Sequence, residues 1–380
     1  MAESKLDFHP YAFFTALGIA ILPMIGCSDS GPKPYTPPEP EPYEYQLPES
    51  MQDGWTPGNL ATTGIDTQKI ESMMNAIRTK RFTKIDSIAI SIQGELVFDE
   101  LIRKRLDDVD RWVDNHSLAV HSMQSVSKSV VSILMGIALE QGLIHSIDDT
   151  IWQYFPEYSE VENWTDAKSQ ITIRDLLTMR HGFEWDEWSY PYSDNRNSLS
   201  EIANRCSDWI KCTLDLPMSS APGTEYAYST FVSIIIGVII ENQAQMQLED
   251  FAEQYLFTPL AITDMKWDQT PSGHANTGGG LFLSTRSMAK IGQLFLEQGV
   301  WQAQQLVRAE WVEESTQAIV DIDYLGDFRQ GYGYQWWTRS FSIQGRTIAT
   351  YHAEGNGGQF IYVIPELHAV IVFTGGNYNS

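Results

Sequence analysis

Apolar alternation at both ends of the chain, with helical periodicity between them, is the feature that most constrains the fold. Ile88 to Phe98 (IAISIQGELVF) alternates on either side of Gln93-Gly94 and predicts a hairpin. Near the C-terminus, Gly331 to Thr338, Arg346 to His352, Gln359 to Ile364 and Ala369 to Thr374 predict successive antiparallel strands. The stretch between has the other period. Val130, Leu134 and Ile137 recur at helical spacing within Val126 to Gln141, and Gly142 is a good stop. Thr172 with Asp175 three residues later predicts a capped helix start. Phe231 to Glu241 (FVSIIIGVIIE), apolar nearly all round, predicts a buried helix. A sheet made by both chain ends, with a helical insertion at about 140–270, follows.

The first residues stand outside this pattern. Tyr11 to Gly26 is apolar but short for a bilayer span, and it runs through Met24-Ile25-Gly26 into Cys27 as a signal-peptide core runs into its cleavage site. Residues 1–27 are therefore expected to be a signal peptide, although Glu3 and Asp7 outnumber Lys5 where export signals usually begin net positive. Ile-Gly-Cys resembles the bacterial lipobox, which makes Cys27 the lipidation candidate and implies a periplasmic protein anchored at the membrane. Residues 28–52, rich in Pro and Glu, are expected to be an extended linker, leaving 53–380 as the folded domain.

Charge and composition exclude several functions. With 25 Lys and Arg against 49 Asp and Glu, the formal net charge is −24, so nucleic acid and anionic lipid surfaces are repelled. Any membrane contact is expected only through the lipid anchor. The three cysteines form no C-x-x-C pair and no H-E-x-x-H occurs, so neither a metal nor a cofactor is expected. No G-x-S-x-G is present, which argues against an α/β-hydrolase. The glycine clusters at Gly278 and Gly355 lack the strand-loop-helix context that a phosphate needs.

Ser125-Val126-Ser127-Lys128 is where chemistry enters. A serine at the first turn of a helix sits among unpaired N–H groups that favour a developing anion, and a lysine one turn later can reach its hydroxyl. The pattern alone is weak, because Ser287-Met288-Ala289-Lys290 also fits it in a helix expected to be ordinary surface. Order supplies the support. Pro222-Gly223 leads to Tyr228, whose phenol can share a proton with a lysine amine, and Gly355-Asn356-Gly357-Gly358 opens a C-terminal strand that a substrate can approach closely.

With these elements, the chain from Asp53 to Asn379 resembles the serine β-lactamase and penicillin-recognising hydrolase superfamily. It falls on the class C side, with family VIII esterases and 6-aminohexanoate-dimer hydrolases. The resemblance rests on SVSK at Ser125–Lys128, ITIRDLLTMRHGF at Ile171–Phe183 and PGTEYAYS at Pro222–Ser229. It is carried further by GGGLFLSTRSMAKIGQLFL at Gly278–Leu296, GYGYQWW at Gly331–Trp337 and GNGGQ from Gly355. It implies an α/β (α+β) fold: a central antiparallel sheet flanked by helices, a mainly helical second domain, and an active site in the groove between them. It implies Ser125 as acylated nucleophile, Lys128 as base and Tyr228 as the acid or base serving the leaving group. The N–H groups of Ser125 and Asn356 would form the oxyanion site.

Departures bear on the substrate. The Tyr-x-Asn motif ends here in Thr230, and Ala353-Glu354-Gly355 stands where lactamases have Lys-Thr-Gly. Without that lysine the cation for a β-lactam carboxylate is missing, and His352 is a weak substitute at neutral pH. The expected reaction is hydrolysis of an uncharged ester or a linear amide. The alternatives are a β-lactamase or D-Ala-D-Ala carboxypeptidase, and a catalytically silent binding protein on the same fold.

Trp188, Tyr190, Thr230 and Gly355 are the substrate-contact candidates. Trp185 and Tyr192 belong to the same aromatic run, which either walls the acyl pocket or packs its own loop. His121, His181 and His352 are read as hydrogen-bonded structural residues. Cys206 and Cys212 can bridge only if a helix ends between them. The sequence leaves the oligomeric state open.

Overall fold

A computed structural model describes residues 41–102, 120–158, 160–322 and 329–378. The expected signal peptide, with Cys27, lies outside these residues. The main sheet takes β1 (Thr56–Pro57), β2 (Ile85–Ile92) and β3 (Glu95–Leu101) from one end of the chain. From the other end come β4 (Val320–Asp321), β5 (Gly331–Tyr332), β6 (Trp337–Ile343), β7 (Arg346–Gly355), β8 (Gln359–Ile364) and β9 (Ala369–Gly375). Their order is β1-β3-β2-β9-β8-β7-β6-β5-β4, and every neighbouring pair is antiparallel except β1 with β3.

The β2–β3 hairpin turns through Gln93 and Gly94, at φ 51° and 83°, the left-handed pair that a two-residue connection needs. Helix α1 (Thr67–Arg78) covers one face of the sheet, where Ile88, Ile90 and Ile92 of β2 join Met74 and Ile77. Alternate residues of β2 face the opposite way. Ser91 Oγ donates to Gln293 Oε1 at 2.8 Å, and Ser87 bonds Thr285 and Thr374.

Between the two sheet halves run α2 (Val126–Glu140), α3 (Ile173–Leu177), α4 (Ser198–Arg205), α5 (Trp209–Leu214), α6 (Thr230–Ala244) and α7 (Thr285–Leu296). Thr172 and Asp175 form the reciprocal capping box at the start of α3. Helix α6 is buried along Phe231–Glu241. It packs against α2, α3 and α5, whereas α2 also meets β7 and β8, and α7 lies on β2, β8 and β9. Helix α2 is therefore the seam between the helical layer and the sheet, all within the compact unit Glu41–Ser380.

Three expectations are corrected. Residues 331–338 are not one strand: Gly333 N–H donates to Trp336 O at 2.8 Å across a tight turn, with Gln335 at φ 61°. The turn sends Trp336 onto Phe295 of α7 and Trp337 towards Tyr228. The extended linker also does not run to residue 52. Tyr43 N–H donates to Asn75 Oδ1 at 2.7 Å and Tyr45 OH to Val97 O at 2.9 Å, and the buried Tyr43 ring meets Phe98 edge-on. Burial of such a ring stabilises by about 2 kcal/mol. The third concerns Ser287 and Lys290, which are buried rather than surface residues. Lys290 Nζ donates to Ala261 O at 2.7 Å and Ser287 Oγ to Asp264 Oδ1 at 2.7 Å, so α7 turns this S-x-x-K inward.

Helix α4 ends at Arg205 and α5 begins at Trp209, and the break allows Cys206 and Cys212 to bridge. The double variant Cys206→Ser/Cys212→Ser is expected to lose about 2 kcal/mol of unfolding free energy, the closure entropy of so short a loop. Urea titration of the two proteins measures it.

Candidate active site

The chain enters α2 through Gln124, held at φ 48°, a left-handed turn that sets Ser125 at the helix N-cap. The Ser125 hydroxyl makes no capping bond to its own helix. It accepts instead from Lys128 Nζ at 2.9 Å. Lys128 is 1 % exposed, and its Nζ also donates to Thr230 Oγ1 at 3.1 Å and to Gly278 O at 2.5 Å. Burial pushes this amine down to about 8, with the Glu187 carboxylate pulling the other way. A fraction of it is therefore neutral near physiological pH, as a base for a serine hydroxyl must be.

Tyr228 is held on the facing side. Its carbonyl accepts from Trp185 Nε1 at 2.8 Å, and the preceding Ala227 N–H donates to Met179 O at 2.8 Å. Phe183 N–H donates to His181 Nδ1 at 3.1 Å, which leaves the proton on Nε2 to donate to Ala227 O at 2.9 Å. Burial drives His181 down to about 4, so this imidazole is a neutral clamp on the tyrosine loop. The Tyr228 ring packs in a cluster with Trp188 (5.1 Å) and Trp337 (5.6 Å), which also stack on each other at 6.4 Å, and Lys128 Nζ lies 5.0 Å from its centre. Burial raises its phenol well above the ordinary range, and the surrounding Tyr332, Glu187 and Tyr192 add to this, against a hydrogen bond with Ser125. The resting group is a phenol that can give a proton, not a phenolate that takes one.

Two cavities meet at Ser125. One of about 370 Å³ is bordered by Leu199, Trp209, Thr230 and Phe231. The other, about 150 Å³, is bordered by Trp188, Tyr228, Arg329, Trp337 and Glu354. Ser125, Tyr192 and Asn356 line both, so a substrate carbonyl at Ser125 has space on either side for its two substituents. Ala353 is fully buried on β7 and offers no charge; burial lowers the His352 pKa, so His352 is no cation near neutral pH. The guanidinium of Arg329 lies 5.0 Å from Trp188 and 4.8 Å from Trp337.

Gly355 earns its place by close approach. A Cβ there would stand 2.3 Å from Met123 O, on the chain leading into Ser125. Gly355→Ala is expected to shift the β7 edge against the nucleophile turn and lower kcat about 100-fold, the usual consequence of displacement near 1 Å. Steady-state kinetics of the folded variant measures it.

Tyr190 is not part of this site. It stacks under Arg196 (4.2 Å) and lines a separate surface depression with Glu184 and Arg205. The cause is Asn197, whose Nδ2 donates to the carbonyls of Glu187 and Tyr190 at 2.8 Å each. That bend leaves Trp188 and Tyr192 on the site side.

Sequence reasoning missed Glu187. It is 4 % exposed, and Thr230 gives it two hydrogen bonds, from N–H to Oε2 at 2.7 Å and from Oγ1 to Oε1 at 2.6 Å. Its neighbours Glu184 and Asp186 are acidic too, and only its position between tryptophans in WDEW hinted at burial. Among the described residues no group of three His, Cys, Asp or Glu is placed to hold a metal.

A family model described as Beta-lactamase matches residues 78–376. The 6-aminohexanoate-dimer hydrolase of Paenarthrobacter ureafaciens is 24 % identical over 264 residues, covering 66 % of this chain and 65 % of that enzyme. Two further curated relatives are spanned over 28 % and 35 % of their lengths. Among solved structures, EstCE1, a hydrolase with promiscuous acyltransferase activity, matches with a TM-score of 0.61 at 14 % identity, covering 82 % of this chain and 95 % of that one. A penicillin binding protein from Bacillus halodurans matches with a TM-score of 0.59 at 15 % identity, covering 82 % and 95 %. At such identities the solved structures speak to the fold alone.

Proposed function

The chain belongs to the beta-lactamase family and is a hydrolase of that fold, and from this premise we propose that it cleaves an ester or a linear amide through an acyl-enzyme on Ser125. Neutral Lys128 takes the hydroxyl proton as Ser125 Oγ bonds to the substrate carbonyl carbon. The N–H groups of Ser125 and Asn356 hold the oxyanion. As the bond to the leaving group breaks, Tyr228 donates its proton to the departing oxygen or nitrogen and recovers one from the Lys128 ammonium. Water then repeats the sequence and frees Ser125.

The observation that carries this reading is the 2.9 Å contact between Ser125 Oγ and an amine whose pKa burial has brought to about 8. Ala353 supplies no cation for a β-lactam carboxylate, and the Arg329 guanidinium that lines the smaller cavity lies over the Trp188 and Trp337 rings; this favours substrates without that carboxylate. The name of one relative fits: it is a 6-aminohexanoate-dimer hydrolase. The test is side-by-side turnover of a short-chain p-nitrophenyl ester, a p-nitroanilide and penicillin. Ester or anilide hydrolysis without penicillin hydrolysis is expected; penicillin as the fastest of the three would overturn it.

Because the base works only as the neutral amine, kcat/KM is expected to rise with pH through about 8 and then level. A pH profile with its acid limb near 5 would assign the limiting proton to a carboxylate instead. Location belongs to the same proposal: the lipobox-like Cys27 and the Cys206–Cys212 bridge fit an exported, lipid-anchored protein. Palmitate labelling lost in Cys27→Ala tests it.

A further inference from the structure

Glu187 is buried, ionisable and unused by the mechanism above, yet it sits two hydrogen bonds from the base. The geometry points to Glu187 as a positioning residue that acts through Thr230 to aim the Lys128 lone pair at Ser125. The inference rests on the acyl-enzyme reading and deepens it.

Counting hydrogens carries it. Lys128 Nζ has three polar neighbours: Ser125 Oγ, Thr230 Oγ1 and Gly278 O. The ammonium has three N–H donors and can serve all of them, but the neutral amine that acts as base has two N–H donors and one lone pair. Gly278 O is a carbonyl and accepts only. Thr230 Oγ1 has a single hydrogen, and as a carboxylate Glu187 accepts only, so that hydrogen goes to Oε1 at 2.6 Å. Thr230 must then accept from Lys128. Both amine hydrogens are committed, and the lone pair is left facing Ser125 Oγ.

The Thr230 N–H bond to Oε2, and the Tyr192 hydroxyl at 3.3 Å from Oε1, hold the carboxylate in place. Without Glu187 the Thr230 hydroxyl is free to rotate and donate to the amine, which turns the lone pair away from the nucleophile. The groups facing Glu187 are Lys128 from α2, Tyr192 of its own segment, Tyr228 before α6 and Tyr332 from β5, with Arg329 acting on Tyr192 and Tyr332. Burial raises the Glu187 pKa, while Lys128 and the hydrogen bonds from Thr230 and Tyr192 act the other way and favour the carboxylate; Lys128 is the one cation among these groups that it pairs with electrostatically.

The test compares wild type with Glu187→Gln, Thr230→Val and Thr230→Ser, reading fluorophosphonate modification of Ser125 and ester kcat across pH. A glutamine presents one acceptor oxygen where two donors converge, so modification and kcat are expected to fall at least tenfold with KM within about twofold. Loss of the negative charge beside Lys128 also favours its neutral form, so the acid limb of kcat moves to lower pH. Thr230→Val should match the tenfold loss and Thr230→Ser should restore most of it, since serine keeps the hydroxyl. A structural role alone would lower the unfolding midpoint without moving the acid limb. Glu187→Gln or, if that protein does not fold, Thr230→Val with unchanged rate and pH profile would overturn the inference. Wild type unmodified at Ser125 would instead overturn the acyl-enzyme reading beneath it.

Discussion

Ser125→Ala is expected to reduce ester turnover by about 10⁴-fold or more while leaving the fold in place. The loss is large because the oxyanion N–H groups and the cavities remain but no atom is left to form the acyl bond. The fold survives because the hydroxyl caps nothing: it makes no bond to the N-terminus of α2, and its hydrogen-bonding neighbours belong to the catalytic set. Circular dichroism and an unfolding midpoint close to wild type, alongside the kinetic loss, are the expected result.

Lys128→Met is expected to cost about 10³-fold to 10⁴-fold in kcat, since Met fills the lysine tunnel but takes no proton. Its effect on stability depends on pH. In the unfolded chain the amine keeps its proton to its ordinary value near 10.5, whereas in the fold it loses it near 8. Between these values the unfolded state binds more protons, so wild-type stability rises with pH across that window. Below it both states are protonated, and the fold bears a desolvation cost on the order of 3 kcal/mol. Removing the lysine relieves that cost but leaves the Glu187 carboxylate without the cation it pairs with, so the gain is partial: Lys128→Met should unfold near the wild-type temperature at pH 7, and relative to wild type its midpoint should fall towards pH 10. Thermal melts at the two pH values read this directly. A variant that loses activity and melts far lower at pH 7 would mean that the lysine is structural.

How much of this was legible in the sequence depends on the range over which each residue acts. Local periodicity placed the β2–β3 hairpin, α2, the Thr172–Asp175 cap and α6, because each is set by spacing within one element. It failed at Gly331–Thr338, where positive φ at Gln335 reverses the chain, and at Tyr43 and Tyr45, whose value to the fold lies in Phe98, Asn75 and Val97 far along the chain. Ser125, Lys128 and Tyr228 could be picked out by motif order, and the structure brings Thr230, Asn356 and Trp188 beside them. Tyr190 could not be separated from Trp188 and Tyr192, since Asn197 decides which of them faces inward. Glu187 is the clearest case: an acid is recognised as buried only when its donors are seen, and the two shortest bonds come from Thr230, 43 residues away. The pKa of Lys128 is likewise a product of enclosure by α2, α6 and Gly278, which no local pattern encodes.

The proposed mechanism requires a covalent bond to one oxygen, Ser125 Oγ. Mass spectrometry of the wild type and of Ser125→Ala, intact and after digestion, following reaction with a fluorophosphonate and a brief acid-quenched incubation with an activated ester, tests it most directly. One adduct per chain is expected on the peptide that contains Ser125, with both the adduct and ester turnover absent from Ser125→Ala. An adduct that persists in Ser125→Ala, or ester turnover by that variant at the wild-type rate, would contradict it.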